Sequence, residues 1–246
     1  MSSLIIIPAR LGSTRLPNKI LADINGKTMI NRVFDQAKQV LNSKVFVACG
    51  DIDIANEVES FSGNFVMTDP ALPSGTDRIH AAFSQLDLDR NYEYIVNLQG
   101  DVPNIDPSVI EQTINVLDQE SECDIATAVI KLQDVDKASD PNIVKAIADF
   151  SNNQTISECA DFTREKPQNE NEIYYEHIGI YVYRTEALLQ FVKLSQSKRE
   201  IDNKLEQLRG LDNGMRIFAC LINNDQKPIN VDTQDSLEQA RRLIAV

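Results

Sequence analysis

Short apolar runs alternate along the first half of the chain with stretches in which apolar residues recur every three or four positions. The runs predict strands, because each is brief, rich in β-branched or aromatic residues, and closed by a proline, a glycine or a polar residue. They cover residues 4–9, 44–50, 64–68, 94–100 and 124–130. The periodic stretches predict amphipathic helices over residues 28–41, 53–61 and 107–120.

This alternation indicates right-handed βαβ units. We therefore expect an α/β fold with a Rossmann-like, mostly parallel sheet flanked by helices. In such sheets ligands bind at the carboxyl ends of the strands. Residues that directly follow a predicted strand are therefore the first candidates for chemistry.

The pattern changes after residue 140. Two predicted strands, over 144–150 and 177–184, enclose a polar and weakly periodic stretch at 151–172, which we interpret as a loop or excursion. A charged amphipathic helix over 200–214, a strand at 216–222 and a helix over 232–245 complete the chain. Asp232 or Thr233 is positioned to cap the last helix. The 246 residues are expected to form a single domain, 1–246.

Charge and composition narrow the function. A net charge of −13 argues against a nucleic-acid or anionic-membrane surface. Four widely spaced cysteines and only two histidines disfavour a zinc or disulfide framework. Neither a basic N-terminal region nor an apolar run of membrane-spanning length occurs. We therefore expect a cytoplasmic protein with no nucleic-acid or membrane partner.

Residues 5–19, IIIPARLGSTRLPNK, contain the apolar run of the first predicted strand and then a basic loop. Between residues 10 and 27 the chain has four cations and one acid. Small Gly12 and Ser13 let backbone N–H groups approach an anion, and Arg10, Arg15 and Lys19 add positive charge. Neither GxxxxGK[ST] nor GxGxxG occurs. The loop is interpreted as a polyphosphate site, the alternative being an ordinary basic surface loop.

Two carboxylates follow predicted strands and suit a hard metal ion. Asp101 follows VNLQG, and Asp232 follows INV. Mg²⁺ takes a few protein oxygens and leaves positions for phosphate oxygens. The alternatives are a turn residue for Asp101 and a helix N-cap for Asp232. The DxD pairs at 51–53 and 87–89 are interpreted as polar positions at element ends.

Several motifs together resemble the 3-deoxy-manno-octulosonate (Kdo) cytidylyltransferases. They span nearly the whole chain in the family's order: IPARLGSTRLPNKIL, INGKTMINRV, SGTDRI, VNLQGDVPNI, DPNIVK, HIGIYVYR, LEQLR and VDTQDSLE. The resemblance implies a nucleotide-diphospho-sugar transferase type of fold and a homodimer. It implies transfer from CTP to an acidic keto sugar, giving CMP-Kdo and pyrophosphate for lipopolysaccharide biosynthesis, assisted by Mg²⁺.

The resemblance also assigns site residues. It implies catalytic roles for Arg10, Lys19 and Asp101, and a metal site of Asp101 and Asp232. The implied nucleotide-binding residues are Pro8, Ala9, Arg10, Arg15, Lys19, Ser74, Arg78 and Gln99. The implied sugar-binding residues are Gln99, His177, Tyr181 and Glu206, with 151–212 as a sugar-binding and dimerisation subregion. From the residues alone, His177 and Tyr181 could equally be hydrogen-bonded core side chains on one strand face.

The sequence departs from the family mainly on the sugar side. An aromatic-Phe-Ser-Arg segment is expected where this chain reads Ser-Glu-Cys-Ala at 157–160, so Arg164 is a candidate replacement for the missing arginine. Cys49-Gly50 stands where Thr-Asp is usual, and Asn203 stands where glutamate is common. Two alternatives therefore stay open: a different sugar acid as substrate, or a CTP-binding pseudoenzyme.

Overall fold

The computed structural model describes residues 2–13, 15–86, 92–132, 139–165 and 173–244. The chain separates into two compact units, the first formed by Met1–Ile110 with Pro228–Val246 and the second by Glu111–Lys227. The predicted subregion 151–212 falls inside the second unit, and its dimerisation role stays a prediction. The DxD pair at 87–89 lies outside the described residues.

The first unit contains a parallel sheet and a small hairpin. Its strands are β1 (Ser3–Ala9), β2 (Asp23–Ile24), β3 (Lys27–Thr28), β4 (Ser43–Cys49), β5 (Phe65–Met67) and β6 (Tyr94–Leu98). The order β5-β4-β1-β6 has only parallel neighbours, as the alternation of strands and helices predicts. The hairpin β2–β3 turns at Asn25 and Gly26, which both have positive φ, as a two-residue type I′ turn requires.

Eight helices are described. They are α1 (Met29–Ala37), α2 (Ile52–Ser60), α3 (Gly75–Gln85), α4 (Pro107–Gln119), α5 (Thr185–Phe191), α6 (Lys198–Asn203), α7 (Gln207–Asp212) and α8 (Gln234–Leu243). The sequence prediction lacked α3 and α5. Within the described ranges, no helix combines the length and the apolar character needed to cross a membrane.

The core of the first unit explains its apolar pattern. Leu4, Ile5, Ile6 and Ile7 of β1 are fully buried. A strand covered on both faces is apolar at consecutive positions, which is why the run does not alternate. A separate buried cluster packs α8 against the hairpin and the start of α1; it contains Ile24, Met29, Val231, Leu237 and Ala240.

The second unit contains a mixed arrangement of strands, which corrects the prediction of a mostly parallel sheet. Its strands are β7 (Ile125–Lys131), β8 (Lys145–Ala148), β9 (Ile156–Thr163), β10 (Tyr175–Arg184) and β11 (Ile217–Ile222). Among the described strands of this unit, β7 and β11 pair in parallel, whereas β10–β7, β11–β9, β8–β9 and β10–β8 are antiparallel. Since β8 pairs with both β9 and β10, the strand order β10-β7-β11-β9-β8 closes on itself.

Two further predictions in this unit are wrong. The stretch at 151–172 is not a loop throughout, because β9 runs through it between β8 and β11. The hydrophobic pattern did not predict this strand, because β9 is largely polar and its buried residues, Cys159 and Phe162, do not alternate regularly with exposed ones. The helix expected over 200–214 is two short helices, α6 and α7. The break lies at Lys204, which adopts a left-handed φ of 54° and caps α6.

Candidate active site

A polar cavity of about 310 Å³ lies in the first unit, where β1 and β6 end. Its lining consists of Pro8, Ala9, Arg10, Gly12, Ser13, Arg15, Lys19, Ile20, Ser74, Gly75, Arg78, Gln99, Gly100, Asp101 and Asp232. Every nucleotide and metal residue implied by the sequence therefore borders one space. Lys19 and Asp232 are more than 200 residues apart in sequence, and they meet because the final segment of the chain belongs to this unit.

Lys19 is the most enclosed cation of the basic loop. It lies in the short 3₁₀ helix Lys19–Leu21, and only 14% of its side chain is exposed. Its Nζ donates to Asp101 Oδ2 at 2.6 Å and to Asp232 Oδ1 at 2.8 Å. Burial lowers the pKa of the ammonium, but the two carboxylates outweigh burial and raise the pKa above its ordinary value. Lys19 therefore stays charged at neutral pH.

Asp101 and Asp232 are held side by side by the backbone. Asp101 follows β6 through Gln99 and Gly100, and its carbonyl oxygen accepts a hydrogen bond from Val231 N at 2.9 Å. Thr233 is the N-cap of α8 and accepts from Ser236 N, so the cap role that the sequence left open belongs to Thr233. The Asp232 carboxylate instead contacts Lys19 and Arg15, at 2.8 Å in each case.

Arg10 and Arg15 differ from Lys19 in exposure. The Arg15 side chain is 58% exposed and pairs with Asp232. Arg10 is exposed at the rim of the cavity and forms no ion pair with any described residue. The loop therefore presents one buried and two accessible cations.

The start of α3 forms the other side of the cavity. The Ser74 side chain caps this helix by accepting from Asp77 N at 3.1 Å. The Arg78 guanidinium is 2% exposed and donates to Thr68 Oγ1 at 2.7 Å and to the Asp69 and Pro70 carbonyl oxygens. Burial, followed by the nearby Arg10 charge, lowers the pKa of Arg78.

Gly50 makes room for that guanidinium. A Cβ atom at residue 50 would stand 2.7 Å from Arg78 Nη1 and 3.4 Å from the Ala9 carbonyl oxygen. A side chain at residue 50 would therefore displace the Arg78 guanidinium. At the neighbouring strand end, Gln99 Nε2 donates to Asn97 Oδ1 at 2.9 Å, which orients Gln99 at the edge of the cavity.

The first DxD pair behaves as expected for an element end. Asp51 and Asp53 lie at the N-terminus of α2, with Asp51 in the N-cap position and Asp53 in the first turn. Asp51 Oδ2 accepts from Leu11 N at 2.9 Å, a contact with the basic loop that the sequence did not predict.

Two of the predicted sugar residues form an aromatic cluster in the second unit. The rings of His177 and Tyr181 are 5.2 Å apart, and Phe162 meets His177 edge-on at 5.4 Å. His177 Nε2 is 2.9 Å from Thr127 Oγ1. Burial lowers the pKa of His177 to about 3 and raises that of Tyr181 well above its ordinary value. Both side chains are therefore neutral near pH 7.

Helix α7 brings Glu206 and Gln207 to the same region. Tyr181 Oη donates to Gln207 Oε1 at 3.0 Å. Gln207 is 5% exposed, and its Nε2 has no hydrogen-bond partner among the described residues. Glu206 lies 3.9 Å from Arg209. A buried donor without a partner is costly, so this N–H group is available to an oxygen acceptor.

Glu200 and Arg209 serve the structure of this region. Arg209 donates to both Glu200 carboxylate oxygens, at 2.6 and 2.9 Å, and both side chains are 5% exposed. Glu200 also completes a capping box with Ser197. The pair joins α6 to α7 across the break at Lys204, and so fixes the direction of Glu206 and Gln207.

Arg164 is committed to the backbone. Its Nε donates to the Asn203 carbonyl oxygen at 3.1 Å, and its Nη1 donates to the Pro141 and Asn142 carbonyl oxygens. These contacts join the end of β9 to the end of α6. Its suggested role as a replacement arginine at the sugar therefore stays an expectation without a structural contact to support it.

Sequence reasoning missed Asp51, Thr127 and Gln207. Thr127 carried a signal, because it is a polar residue within the apolar run of β7 and is fully buried. Asp51 was singled out only as part of a DxD pair, and nothing in its spacing pointed to Leu11. Gln207 lies within the LEQLR motif, but that motif drew attention to its neighbour Glu206.

Comparisons with known proteins identify the family of the chain. A sequence model of the family described as Cytidylyltransferase matches residues 4–217. The chain is 40% identical over 244 residues to 3-deoxy-manno-octulosonate cytidylyltransferase of Paramagnetospirillum magneticum, covering 99% of this chain and 98% of the relative. It is 43% identical over 245 residues to the Bartonella quintana protein of the same name, covering 100% of this chain and 99% of the relative.

A solved structure is similar throughout. It is CMP:2-keto-3-deoxy-manno-octonic acid synthetase complexed with CTP, with 32% identity and a TM-score of 0.88, covering 99% of this chain and 98% of that one. The fold is accordingly that of the α/β nucleotide-sugar transferases. The chain belongs to the cytidylyltransferase family and, within it, to the 3-deoxy-manno-octulosonate cytidylyltransferases.

Proposed function

We propose that this enzyme transfers the cytidylyl group of CTP to Kdo, giving CMP-Kdo and pyrophosphate for lipopolysaccharide biosynthesis. The observation that carries the proposal is the cavity of the first unit, in which three loop cations meet two strand-end carboxylates. A triphosphate needs the cations, and a divalent metal needs the carboxylates. The names of the relatives support CTP and Kdo as the substrates.

The two carboxylates fit a magnesium ion. Oxygens of Asp101 and Asp232 approach one ammonium at 2.6 and 2.8 Å, so they already converge on a single cation. Carboxylate oxygens are the hard ligands that Mg²⁺ prefers. We therefore propose that Asp101 and Asp232 hold Mg²⁺. When bound, it supplies charge neutralisation on the phosphates.

The loop cations hold the triphosphate. Arg10 and Arg15 are accessible and present planar guanidinium groups, which suit bidentate contacts to phosphate oxygens. Lys19 exchanges its carboxylate contacts for phosphate oxygens and stabilises negative charge on the departing pyrophosphate. Arg10, Lys19 and Asp101 are therefore the proposed catalytic residues. Pro8, Ala9, Ser74 and Arg78 are proposed to bind the cytosine and ribose.

The reaction needs no covalent intermediate with the protein. The anomeric hydroxyl oxygen of the sugar forms a bond to the α-phosphorus, the bond from that phosphorus to the β-phosphate oxygen breaks, and the hydroxyl proton leaves to solvent. Positioning and charge stabilisation supply most of the rate in such transfers. We propose that Gln99, His177, Tyr181 and Glu206 bind the sugar. The buried Nε2 of Gln207 supports an additional sugar oxygen contact.

We further propose a homodimer. Among the described residues of the second unit, three large apolar side chains are exposed: Ile147, Ile173 and Ile201, at 40%, 58% and 57%. Two of them fall in the predicted dimerisation subregion. Light scattering is expected to give twice the chain mass, and Ile201→Lys is expected to shift the protein towards monomer.

The function is tested by pyrophosphate release. The purified enzyme is incubated with CTP and Mg²⁺ and a panel of acidic sugars: Kdo, an amino analogue of Kdo and a nonulosonate. Pyrophosphate release is expected with Kdo and CTP, and it should be lost when the metal is chelated. CTP binding without release from any sugar would indicate a pseudoenzyme, and a preference for another acid would correct the substrate.

A further inference from the structure

The loop after β4 contacts the basic loop after β1 at a point that the proposed reaction does not use. Gly50 N donates to the Ala9 carbonyl oxygen at 2.9 Å, which continues the pairing of β1 with β4. One residue further on, Asp51 Oδ2 accepts from Leu11 N, also at 2.9 Å. The two strand ends are therefore joined beyond the sheet itself.

The hydrogen bond from Leu11 N to Asp51 anchors the first half of the basic loop. Within the described ranges, it is the one hydrogen bond that ties residues 10–13 to another element of the fold. The Ser13 N to Leu11 O bond of 2.7 Å is internal to the loop. The position of this half of the loop therefore depends on Asp51.

Asp51 stands behind the loop and does not border the cavity. The cavity is lined by Arg10 and Gly12, the residues on either side of Leu11. Asp51 is half-buried at the N-cap position of α2, where it makes no capping hydrogen bond of its own. Its carboxylate is thus committed to the loop instead of to the helix that it precedes.

We propose that Asp51 is a positioning residue for the triphosphate: its carboxylate fixes the Leu11 N–H, and so holds Arg10 and Gly12 ready for the phosphates. A hydrogen bond from a backbone amide to a carboxylate is among the stronger ones in proteins. An ordered loop loses less conformational freedom when it binds a ligand. The proposal rests on the proposed function, because it assumes that the loop binds CTP.

The alternative for this motif is metal binding by the DxD pair. That role would require Asp51 and Asp53 to act together. Asp53 is exposed in the first turn of α2, and Asp51 is engaged by a backbone donor. The two alternatives predict different results for a change at residue 53.

Three variants separate these effects. Asp51→Ser keeps a good helix N-cap but shortens the side chain that reaches Leu11. Asp51→Asn keeps an oxygen acceptor and removes the charge. Asp53→Ser makes the matched change two residues away, on the same helix. Each is measured for CTP affinity by calorimetry, for KM of CTP and of Kdo, and for the thermal unfolding midpoint.

We expect Asp51→Ser to raise the dissociation constant and KM for CTP on the order of tenfold, the effect of losing about one charge-assisted hydrogen bond. The KM for Kdo is expected to stay within twofold, as are all constants of Asp53→Ser. Asp51→Asn is expected to lie closer to the wild type than to Asp51→Ser. The proposal would be overturned if Asp51→Asn lost as much CTP affinity as Asp51→Ser. It would also be overturned if Asp53→Ser lost as much as Asp51→Ser.

A double-variant cycle adds a readout that a purely structural role would not move. If Asp51 acts through Arg10, Asp51→Ser should cost much less CTP affinity in an Arg10→Ala background than in the wild type. Additive losses would overturn the proposal. A wild-type protein that binds no CTP would instead reject the proposed function, so the two failures are distinguishable.

Discussion

The first and second units prepare their ligand groups in opposite ways. In the first, the cations of the basic loop are charged, and Lys19 and Arg15 already contact the carboxylates of Asp101 and Asp232. In the second, His177 and Tyr181 are neutral, half-buried and held by ring contacts and hydrogen bonds. One region is organised by charge and the other by packing.

The difference corresponds to the chemistry expected of each region. When a triphosphate and its metal bind, the ion pairs between the loop cations and the carboxylates are replaced by ion pairs with the ligand. The charged side chains can therefore be in place before the ligand binds without a large desolvation cost. Sugar hydroxyls need neutral donors and acceptors at fixed positions, which burial supplies. Changes in the first unit should therefore alter charge-dependent steps, whereas changes in the second should alter sugar affinity and stability.

The largest expected effect is at Asp101. Asp101→Asn removes one carboxylate from the proposed metal site and one partner of Lys19, so we expect kcat to fall at least about a hundredfold. Because Lys19 keeps its contact with Asp232 at 2.8 Å and asparagine has nearly the size of aspartate, the unfolding midpoint should change little. Steady-state pyrophosphate release and calorimetric unfolding measure the two quantities.

The control for Asp101 is Asp106→Asn. Asp106 Oδ1 accepts from Ser108 N at 2.8 Å, and an asparagine oxygen can keep that bond. The control is expected to retain wild-type kcat. If Asp101→Asn retained it as well, the charge-based description of the first unit would be wrong.

Lys19→Met should give the second largest effect. The variant keeps a long apolar side chain but leaves Asp101 and Asp232 without their shared ammonium. CTP affinity is expected to fall about tenfold or more. Nucleotide-free binding of Mn²⁺, measured by electron paramagnetic resonance, should become tighter, because the carboxylates no longer have a cation between them. Lys27→Met, which breaks a Lys27–Asp35 pair outside the cavity, should change neither quantity.

Gly50→Ala tests the packing of the charged region. The added methyl group would stand 2.7 Å from Arg78 Nη1, so the guanidinium must shift from Thr68 and the carbonyl oxygens that it contacts. Overpacking of this kind costs about 1–3 kcal/mol of unfolding free energy. We also expect KM for CTP to rise several-fold. Urea unfolding measures the loss of stability, and steady-state kinetics measure KM. Gly210→Ala, in α7 of the second unit, where a Cβ atom would stand no closer than 3.4 Å to its neighbours, is the control for the loss of a glycine.

The same contrast decides how much of the molecule the sequence could predict. In the first unit the charged residues directly follow the predicted strands, so locating β1 and β6 also located Arg10 and Asp101. In the second unit the pattern failed, because β9 is polar and the helix breaks at Lys204. Residues there are brought together by antiparallel pairing, so their positions relative to predicted strand ends do not indicate which of them lie close together.

Individual contacts were beyond prediction in both units. The hydrogen bond from Leu11 to Asp51 spans 40 positions, and the one from Tyr181 to Gln207 spans 26. Neither changes the local hydrophobic pattern, which is the signal that a single sequence provides. The family resemblance implied His177 and Tyr181, but not the neutral state in which burial holds them.

Tyr181→Phe is expected to have a moderate effect confined to the packed region. It removes the donor to Gln207 Oε1 and leaves that side chain less well oriented. We expect KM for Kdo to rise several-fold and the unfolding free energy to fall by about 1 kcal/mol. The KM for CTP, measured in the same assay, should stay within twofold. A change confined to the CTP constant would contradict the assignment of the two units.

The smallest effect is a dependence of stability on pH. The pKa of His177 is lowered from 6.5 to about 3, so between these values the unfolded state binds a proton that the folded state does not. The free energy of unfolding should therefore rise with pH from about 3 to about 6.5 and gain nothing further from His177 above that. Urea unfolding at pH 5 and pH 8 measures the difference. His177→Gln should reduce it, whereas His80→Gln, at the other histidine of the chain, should reduce it less. An undiminished difference in His177→Gln would mean that the packed cluster does not hold this side chain neutral.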